Sequence, residues 1–110
     1  MDISFSDKKL GKLSLDYNKC RKKMGDKRAK LFITRLNALR DAITLEDVRH
    51  APGRFHELTS DRKGQWACDL DHPYRLIFTS PQNPIPTNKH GQYVWIEITE
   101  VEIIEIDDYH

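Results

Sequence analysis

Cysteine and glycine are sparse in this 110-residue sequence, which has two cysteines and five glycines. Cys20 and Cys68 stand outside any CxxC pair, so the sequence indicates neither a zinc site nor a secreted disulfide scaffold. We expect both to be buried thiols in a reducing compartment. There is no run of about 18 apolar residues, and the start of the chain lacks the basic and apolar segments of an export signal. These absences favour a cytoplasmic protein without a membrane partner.

An excess of charge of one sign is also absent, because 18 basic residues nearly balance 17 acidic ones. The two halves of the chain nevertheless differ. Residues 1–50 contain 13 basic and 7 acidic residues, whereas the rest of the chain contains 5 and 10. Lys and Arg gain affinity for nucleic acids by releasing counterions from the phosphates that they neutralise. The basic half therefore indicates a surface that follows phosphates, with well-solvated helices as the alternative interpretation.

The first half of the chain shows the period of amphipathic helices. After a short alternating stretch at Ile3 and Phe5, apolar residues recur every three or four positions in two runs separated by Gly25. The first run is Leu10, Leu13, Tyr17, Cys20 and Met24, and the second is Ala29, Phe32, Leu36, Leu39 and Ile43. These runs predict a first strand followed by a hairpin of two long helices.

The second half changes to the period of two that is typical of strands. The alternating apolar positions are Trp66, Cys68 and Leu70 in one run and Tyr74, Leu76 and Phe78 in the next. We predict a strand over 54–58, turns over 61–64 and 71–73, a polar loop over 81–91 and one or two strands over 94–106. Trp66 is expected in the core, and Trp95 either in the core or in a partner contact. The order predicts one α+β domain over residues 1–110, with an N-terminal strand and a helical hairpin packed on a mostly antiparallel β-sheet.

Polar, titratable side chains gather at two places where packing does not require them. The central cluster contains His56, Arg62, Lys63 and Arg75, and the terminal cluster is Asp107-Asp108-Tyr109-His110. If the strands pair in chain order, we expect the central side chains to converge on one face. Each has a simpler explanation: a local hydrogen bond for His56, plain exposure for Arg62 and Lys63, an ion pair of Arg75 with Asp69 or Asp71, and a frayed chain end for His110.

Four motifs follow one another after the hairpin: Arg54-x-His56-x-Leu58, Asp61-Arg62-Lys63-Gly64-x-Trp66, Pro73-Tyr74-Arg75-Leu76-Ile77-Phe78 and Asp108-Tyr109-His110. In this order they resemble the HigB-like "plasmid maintenance killer" branch of the RelE/ParE superfamily of type II toxins. The resemblance spans the chain from its first strand to its last residue. The sequence departs from the pattern at Ser60, where the family is expected to have glycine, and in the long loop from Pro81 to Gly91.

The resemblance implies a RelE-like fold and a ribonuclease that cuts mRNA in the ribosomal A site without a metal or other cofactor. Such chemistry needs a base for the 2′-hydroxyl, cations for the charge that develops on the phosphate, and an acid for the leaving 5′-oxygen. His56 or His110 could act as the base or the acid, and the candidate cations are Arg62, Lys63 and Arg75. Tyr109 could stack on a base or hydrogen-bond the phosphate, and Asp108 could orient a histidine. The implied partners are a HigA-like antitoxin, the ribosome and its mRNA, and operator DNA reached only through the antitoxin.

Two other functions compete with the ribonuclease. ParE-like relatives keep the fold but bind DNA gyrase without a ribonuclease site, although the Asp-Tyr-His end and the His56/Arg75 pair favour the nuclease. Alternatively, residues 8–43 form a helix-turn-helix DNA-binding unit, which would leave the strand-rich half without a role. No metal site is expected, because His50, His72 and His90 lack ligand spacing, and the sequence has no glycine-rich phosphate loop or nucleophile elbow.

Overall fold

A computed structural model describes residues 1–108, so the predicted site residues Tyr109 and His110 lie outside the described residues. The strands are β1 (Asp2–Phe5), β2 (His56–Glu57), β3 (Gln65–Asp69), β4 (Tyr74–Thr79) and β5 (Glu100–Asp108). The helices are α1 (Lys8–Leu13), α2 (Tyr17–Met24) and α3 (Asp26–Asp41), and short 3-10 turns occur at Leu45–Val48, Ser60–Arg62 and Trp95–Glu97. This element order confirms the predicted α+β layout.

The five strands form one sheet in the order β1-β5-β4-β3-β2. Strands β2, β3, β4 and β5 pair antiparallel in turn, as the predicted meander requires. Strand β1 joins the far side of β5 in parallel, so the first and last strands of the chain are neighbours. Because a parallel pair needs a long crossover, the three helices and the meander all lie between these two strands in the sequence.

The helices cover one face of the sheet, and the core lies between the two layers. Its fully buried side chains include Cys20, Phe32 and Leu39 from the helices and Trp66, Cys68, Leu76, Phe78 and Ile103 from the sheet. Both cysteines are buried free thiols, as predicted. Burial raises the pKa of the Cys68 thiol, which packs as an apolar residue. Trp95 is 5% exposed and belongs to the core, which decides between its two interpretations.

The prediction of one long first helix is wrong, because the chain forms α1 and α2 there. The break arises at Asp16, which has an extended backbone and accepts a hydrogen bond from the backbone N–H of Lys19, 3.1 Å away, to begin α2. Leu15, within the break, is 87% exposed. The four-residue spacing from Leu13 to Tyr17 continues through the break, so the apolar period alone does not reveal it.

The end of the second predicted helix also differs, since Ile43 is 80% exposed rather than part of the buried stripe. Helix α3 ends at Asp41, and the extended backbone of Ala42 turns the chain away from the helix axis. The amino group of Met1 donates a hydrogen bond to the carbonyl oxygen of Arg40, 2.8 Å away, and so satisfies part of this helix end. No helix among residues 1–108 has the length and apolar character needed to cross a membrane.

The strand predicted over 54–58 is reduced to the two residues of β2. Gly53 and Arg54 have positive φ angles of 110° and 53°, which bend the chain immediately before His56. At Gly53 a Cβ atom would lie 2.4 Å from Nε of Arg35, so a side chain at this position would collide with the arginine. The sharp bend therefore requires glycine at this position. The bend leads the chain into the edge strand β2, which begins at His56.

Candidate active site on the open face of the sheet

The sheet face opposite the helices, here called the open face, presents alternate residues of each strand. One row across it is His56, Ala67, Ile77 and Glu105, and the adjacent row is Asp69, Arg75 and Asp107. Residues in register on neighbouring strands project from the same side. The sheet therefore brings His56 and Arg75, two of the predicted site residues, to the same face.

Asp107 joins two of the predicted cations on this face. Its Oδ2 lies 3.0 Å from Nη2 of Arg75 and 3.6 Å from Nη2 of Arg62. Arg62 also lies 3.5 Å from Oε2 of Glu105 and donates a hydrogen bond from Nη1 to Oε1 of Gln65, 2.8 Å away. The cluster thus sets two guanidiniums against two carboxylates.

Arg75 forms an ion pair with Asp107 of β5. Asp69, one partner that the sequence suggested, holds Arg54 through two hydrogen bonds of 3.1 Å. Asp71, the other, holds Arg28 through two hydrogen bonds of 2.9 and 3.1 Å. These hydrogen bonds from Arg28 are the main reason that the pKa of Asp71 lies below its usual value. Arg75 is therefore directed toward the end of β5.

His56 combines a local hydrogen bond with a position on the open face. Its Nδ1 lies 2.7 Å from the carbonyl oxygen of Arg54. Because a carbonyl oxygen can only accept, Nδ1 carries the proton, and the lone pair of the neutral ring lies on Nε2. Strands are about 4.8 Å apart, so the Cα atoms of His56 on β2 and Arg75 on β4 are separated by roughly 10 Å or more. A bound nucleic-acid strand that spans this distance, rather than a direct contact, would connect the two side chains.

Lys63 follows Arg62 in the sequence but takes part in a different feature. It lines a groove of 660 Å³ beside the edge strand β2, together with Glu57, Trp95 and Arg49. The indole Nε1 of Trp95 donates to Oε1 of Glu57 at 2.6 Å, and the guanidinium of Arg49 lies 3.9 Å from the Trp95 ring centroid. The structure therefore does not bring Lys63 into the cluster formed by Arg62.

Asp108 is exposed and lies in register with Tyr74 at the end of β5. Side chains alternate along a strand, so Asp107 shares the face of Arg75 and Asp108 does not. Asp107 was predicted only as a member of the terminal cluster, and Glu105 was not predicted at all. The signal that would have found them is their two-residue spacing, with Ile106 between them turned toward the core.

Ser60 begins the turn that carries Arg62, and its φ of 58° lies in the left-handed region. Residues other than glycine occupy this region at a cost of roughly 1–2 kcal/mol. A preference for glycine at this position is thus explained by the backbone, and the chain forms the turn with a strained serine. The difference from the expected glycine lies in the residue type, and Arg62 still ends the turn before β3.

The lysine-rich surface of the helices lies on the other side of the sheet. Lys9, Lys12, Lys19 and Lys23 line a groove of 440 Å³ where α1 and α2 meet. Because the helices cover the core face of the sheet, this basic surface and the open face point away from each other. Within the described residues, no group of three or more His, Cys, Asp or Glu side chains is arranged to hold a metal ion.

No family model and no curated protein matches the chain by sequence. Solved structures do resemble it. A chain of the YoeB-YefM complex from Staphylococcus aureus matches with a TM-score of 0.58 and 19% identity, over 100% of this chain and 97% of that chain. A YoeB/ParE toxin from Agrobacterium tumefaciens matches with a TM-score of 0.58 and 13% identity over 100% of both chains. These similarities show that the chain has the fold of YoeB-type toxins.

Proposed function

We propose that the chain is the toxin of a type II toxin–antitoxin system, a HigB-like member of the RelE/ParE superfamily that cuts ribosome-bound mRNA and thereby inhibits translation. The observation that carries the proposal is the pairing of Arg62 and Arg75 through Asp107, at the end of β5 that leads into the Asp-Tyr-His motif. The motif order of the sequence and the shared fold with YoeB-type toxins support it.

The proposed reaction is metal-independent cleavage of a phosphodiester. Nε2 of His56 takes the proton of the 2′-hydroxyl, whose oxygen then attacks the adjacent phosphorus. The guanidiniums of Arg62 and Arg75 stabilise the negative charge that develops on the phosphate oxygens. The bond to the 5′-oxygen breaks, and that oxygen accepts a proton from the acid, a role that the resemblance leaves to His110. The products are a 2′,3′-cyclic phosphate and a free 5′-hydroxyl.

The remaining predicted residues have supporting roles in this proposal. Tyr109 stacks on a base or hydrogen-bonds the phosphate, and Asp108 orients the terminal histidine. Lys63 neutralises a flanking phosphate from the groove beside β2, outside the reacting centre. The shared contact of Arg62 and Arg75 with Asp107, and the position of Lys63 in the groove beside β2, support this division.

The proposed setting is the cytoplasm, where residues 1–110 act as a single domain. A HigA-like antitoxin binds the chain and suppresses its activity, and operator DNA is reached only through that antitoxin. The S. aureus YoeB structures that share the fold include a heterotetrameric complex with the antitoxin YefM, which supports a protein partner of this kind.

The alternative is a ParE-like inhibitor of DNA gyrase. The ion pairs of Arg62 and Arg75 with Glu105 and Asp107 are compatible with it, because a surface that only binds protein needs no reactive cation. Two assays with the purified chain separate the two functions. We expect mRNA to be cut in a reconstituted translation system while gyrase supercoiling proceeds normally. Uncut mRNA together with blocked supercoiling would establish the gyrase inhibitor instead.

A further inference from the structure

The side chain of Arg62 reaches from the turn before β3 to strand β5. Arg62 precedes β3, yet its guanidinium contacts Glu105 and Asp107 on β5, and β4 lies between these strands. The side chain therefore passes over Ile77, the β4 residue opposite Glu105. Ile77 and Ala67 are fully buried, although neither belongs to the core beneath the helices. Arg62 thus lies across the apolar centre of the open face.

Glu105 and Asp107 contact this arginine in different ways. The side chain of Asp107 is 19% exposed and is held by Arg75 as well, so it fixes the position of both cations. The side chain of Glu105 is 43% exposed, and within residues 1–108 Arg62 is the cation that lies within 4 Å of it. The Arg62–Glu105 contact is the one that can open without disturbing the pair formed by Arg75 and Asp107.

We infer that the carboxylate of Glu105 occupies Arg62 in the free protein and competes for its guanidinium with a phosphate of bound RNA. The inference rests on the proposed function, because it assigns the RNA phosphate to Arg62. A phosphate that approaches the open face must replace the carboxylate of Glu105 as the partner of Arg62. Glu105 therefore weakens the binding of anions and holds Arg62 across Ile77 until RNA arrives.

The expected effect is modest, because a partly exposed ion pair is weak. Removing the charge of Glu105 should strengthen RNA binding by about twofold to fivefold. Neutralising any nearby carboxylate also attracts RNA slightly through the long-range field. Glu102 provides a matched control, since it lies on the same strand opposite Thr79 and has no cation within 4 Å among the residues that the structure describes.

The test measures the affinity of the full chain for a short single-stranded RNA whose 2′-hydroxyls are methylated, so that it binds without being cut. The variants are Glu105→Gln, Glu102→Gln, Arg62→Gln and the double variant Arg62→Gln/Glu105→Gln, each checked by its thermal unfolding curve. We expect Glu105→Gln to bind about twofold to fivefold more tightly than Glu102→Gln, and this difference to vanish when Arg62 is glutamine. The Arg62 Nε–H resonance should move when RNA is added to the wild-type chain.

Equal affinities of Glu105→Gln and Glu102→Gln would overturn the inference, as would a difference that persists without Arg62. Failure of every variant to bind the RNA would overturn it too. The cleavage assay keeps the two proposals distinguishable. If the mRNA stays uncut but the affinity difference is present, the proposed nuclease activity is wrong and the anion site remains. If the mRNA is cut but the difference is absent, only the role of Glu105 is wrong.

Discussion

The imidazole Nδ1 of His56 donates a hydrogen bond to the carbonyl oxygen of Arg54, 2.7 Å away, so the lone pair of the neutral ring lies on Nε2. His56→Asn keeps a donor near the position of Nδ1 but removes Nε2. We therefore expect His56→Asn to fold normally and to lose cleavage by about 100-fold or more, as measured by initial rates on translated mRNA. His56→Gln, which removes the Nδ1 donor, is the companion variant. Activity of His56→Asn within a few-fold of wild type would exclude His56 as the base.

Arg75 contacts Oδ2 of Asp107 through both Nε, at 3.3 Å, and Nη2, at 3.0 Å. Arg75→Lys keeps the charge but replaces this planar fork by a single ammonium. We expect Arg75→Lys to lower the cleavage rate by about tenfold to 1000-fold with little change in RNA affinity, because the geometry matters most in the transition state. Arg40→Lys, on the exposed side of α3, is the control for replacing an arginine by lysine away from the site. An unchanged rate for Arg75→Lys would show that Arg75 supplies charge alone.

Arg28 joins α3 to the β3–β4 turn, since it pairs with Asp71 and its guanidinium lies 3.5 Å from the Tyr74 ring centroid. The pair lowers the pKa of Asp71 below the ordinary value of about 4 that the unfolded chain retains. Its contribution to the free energy of unfolding is therefore complete above about pH 4 and is lost as the pH falls through the lowered pKa of the folded chain. We expect urea denaturation to show a loss of about 1–2 kcal/mol over this acid range.

The matched variant for this pH dependence is Asp71→Asn, which cannot titrate. It should be less stable than wild type at neutral pH and should lose less stability on acidification. Parallel pH profiles for Asp71→Asn and the wild-type chain would show that other carboxyl groups account for the acid sensitivity.

Ser60 holds a φ of 58° at the start of the turn before β3. Ser60→Gly relieves this strain but increases the freedom of the unfolded chain, so we expect a net gain of up to about 1 kcal/mol in the free energy of unfolding. Ser60→Ala keeps the strain and is the control. Denaturation midpoints in urea measure the difference, and a Ser60→Gly variant no more stable than Ser60→Ala would contradict the account.

The order of elements could be predicted because apolar periodicity follows burial. The helical period predicted the positions of α2 and α3, and the period of two predicted β3 and β4. The Asp71-His72-Pro73 segment predicted the turn that connects β3 to β4. Apolar periodicity did not predict where helices begin and end. Asp16 starts a new helix although the apolar spacing runs through it, and α3 ends before Ile43 although the spacing includes it.

The candidate site was harder to predict because its contacts depend on distance across the sheet. His56 and Arg75 share a face because of strand register, which the sequence can suggest from alternation. The reach of Arg62 to Glu105 cannot be predicted in this way, since it depends on the position of a turn and on a register shift between Ile77 and Phe78. Two neighbouring residues of one motif, Arg62 and Lys63, therefore take part in different features.

The central claim is that this chain cuts mRNA on the ribosome from the open face and its terminal motif. Primer extension on mRNA from a reconstituted translation system tests it, with the wild-type chain, Arg75→Ala and a variant truncated before Tyr109. We expect cuts within codons that require ribosomes and disappear in both variants. A folded wild-type chain that leaves the mRNA intact, or cuts that persist in Arg75→Ala, would contradict the claim.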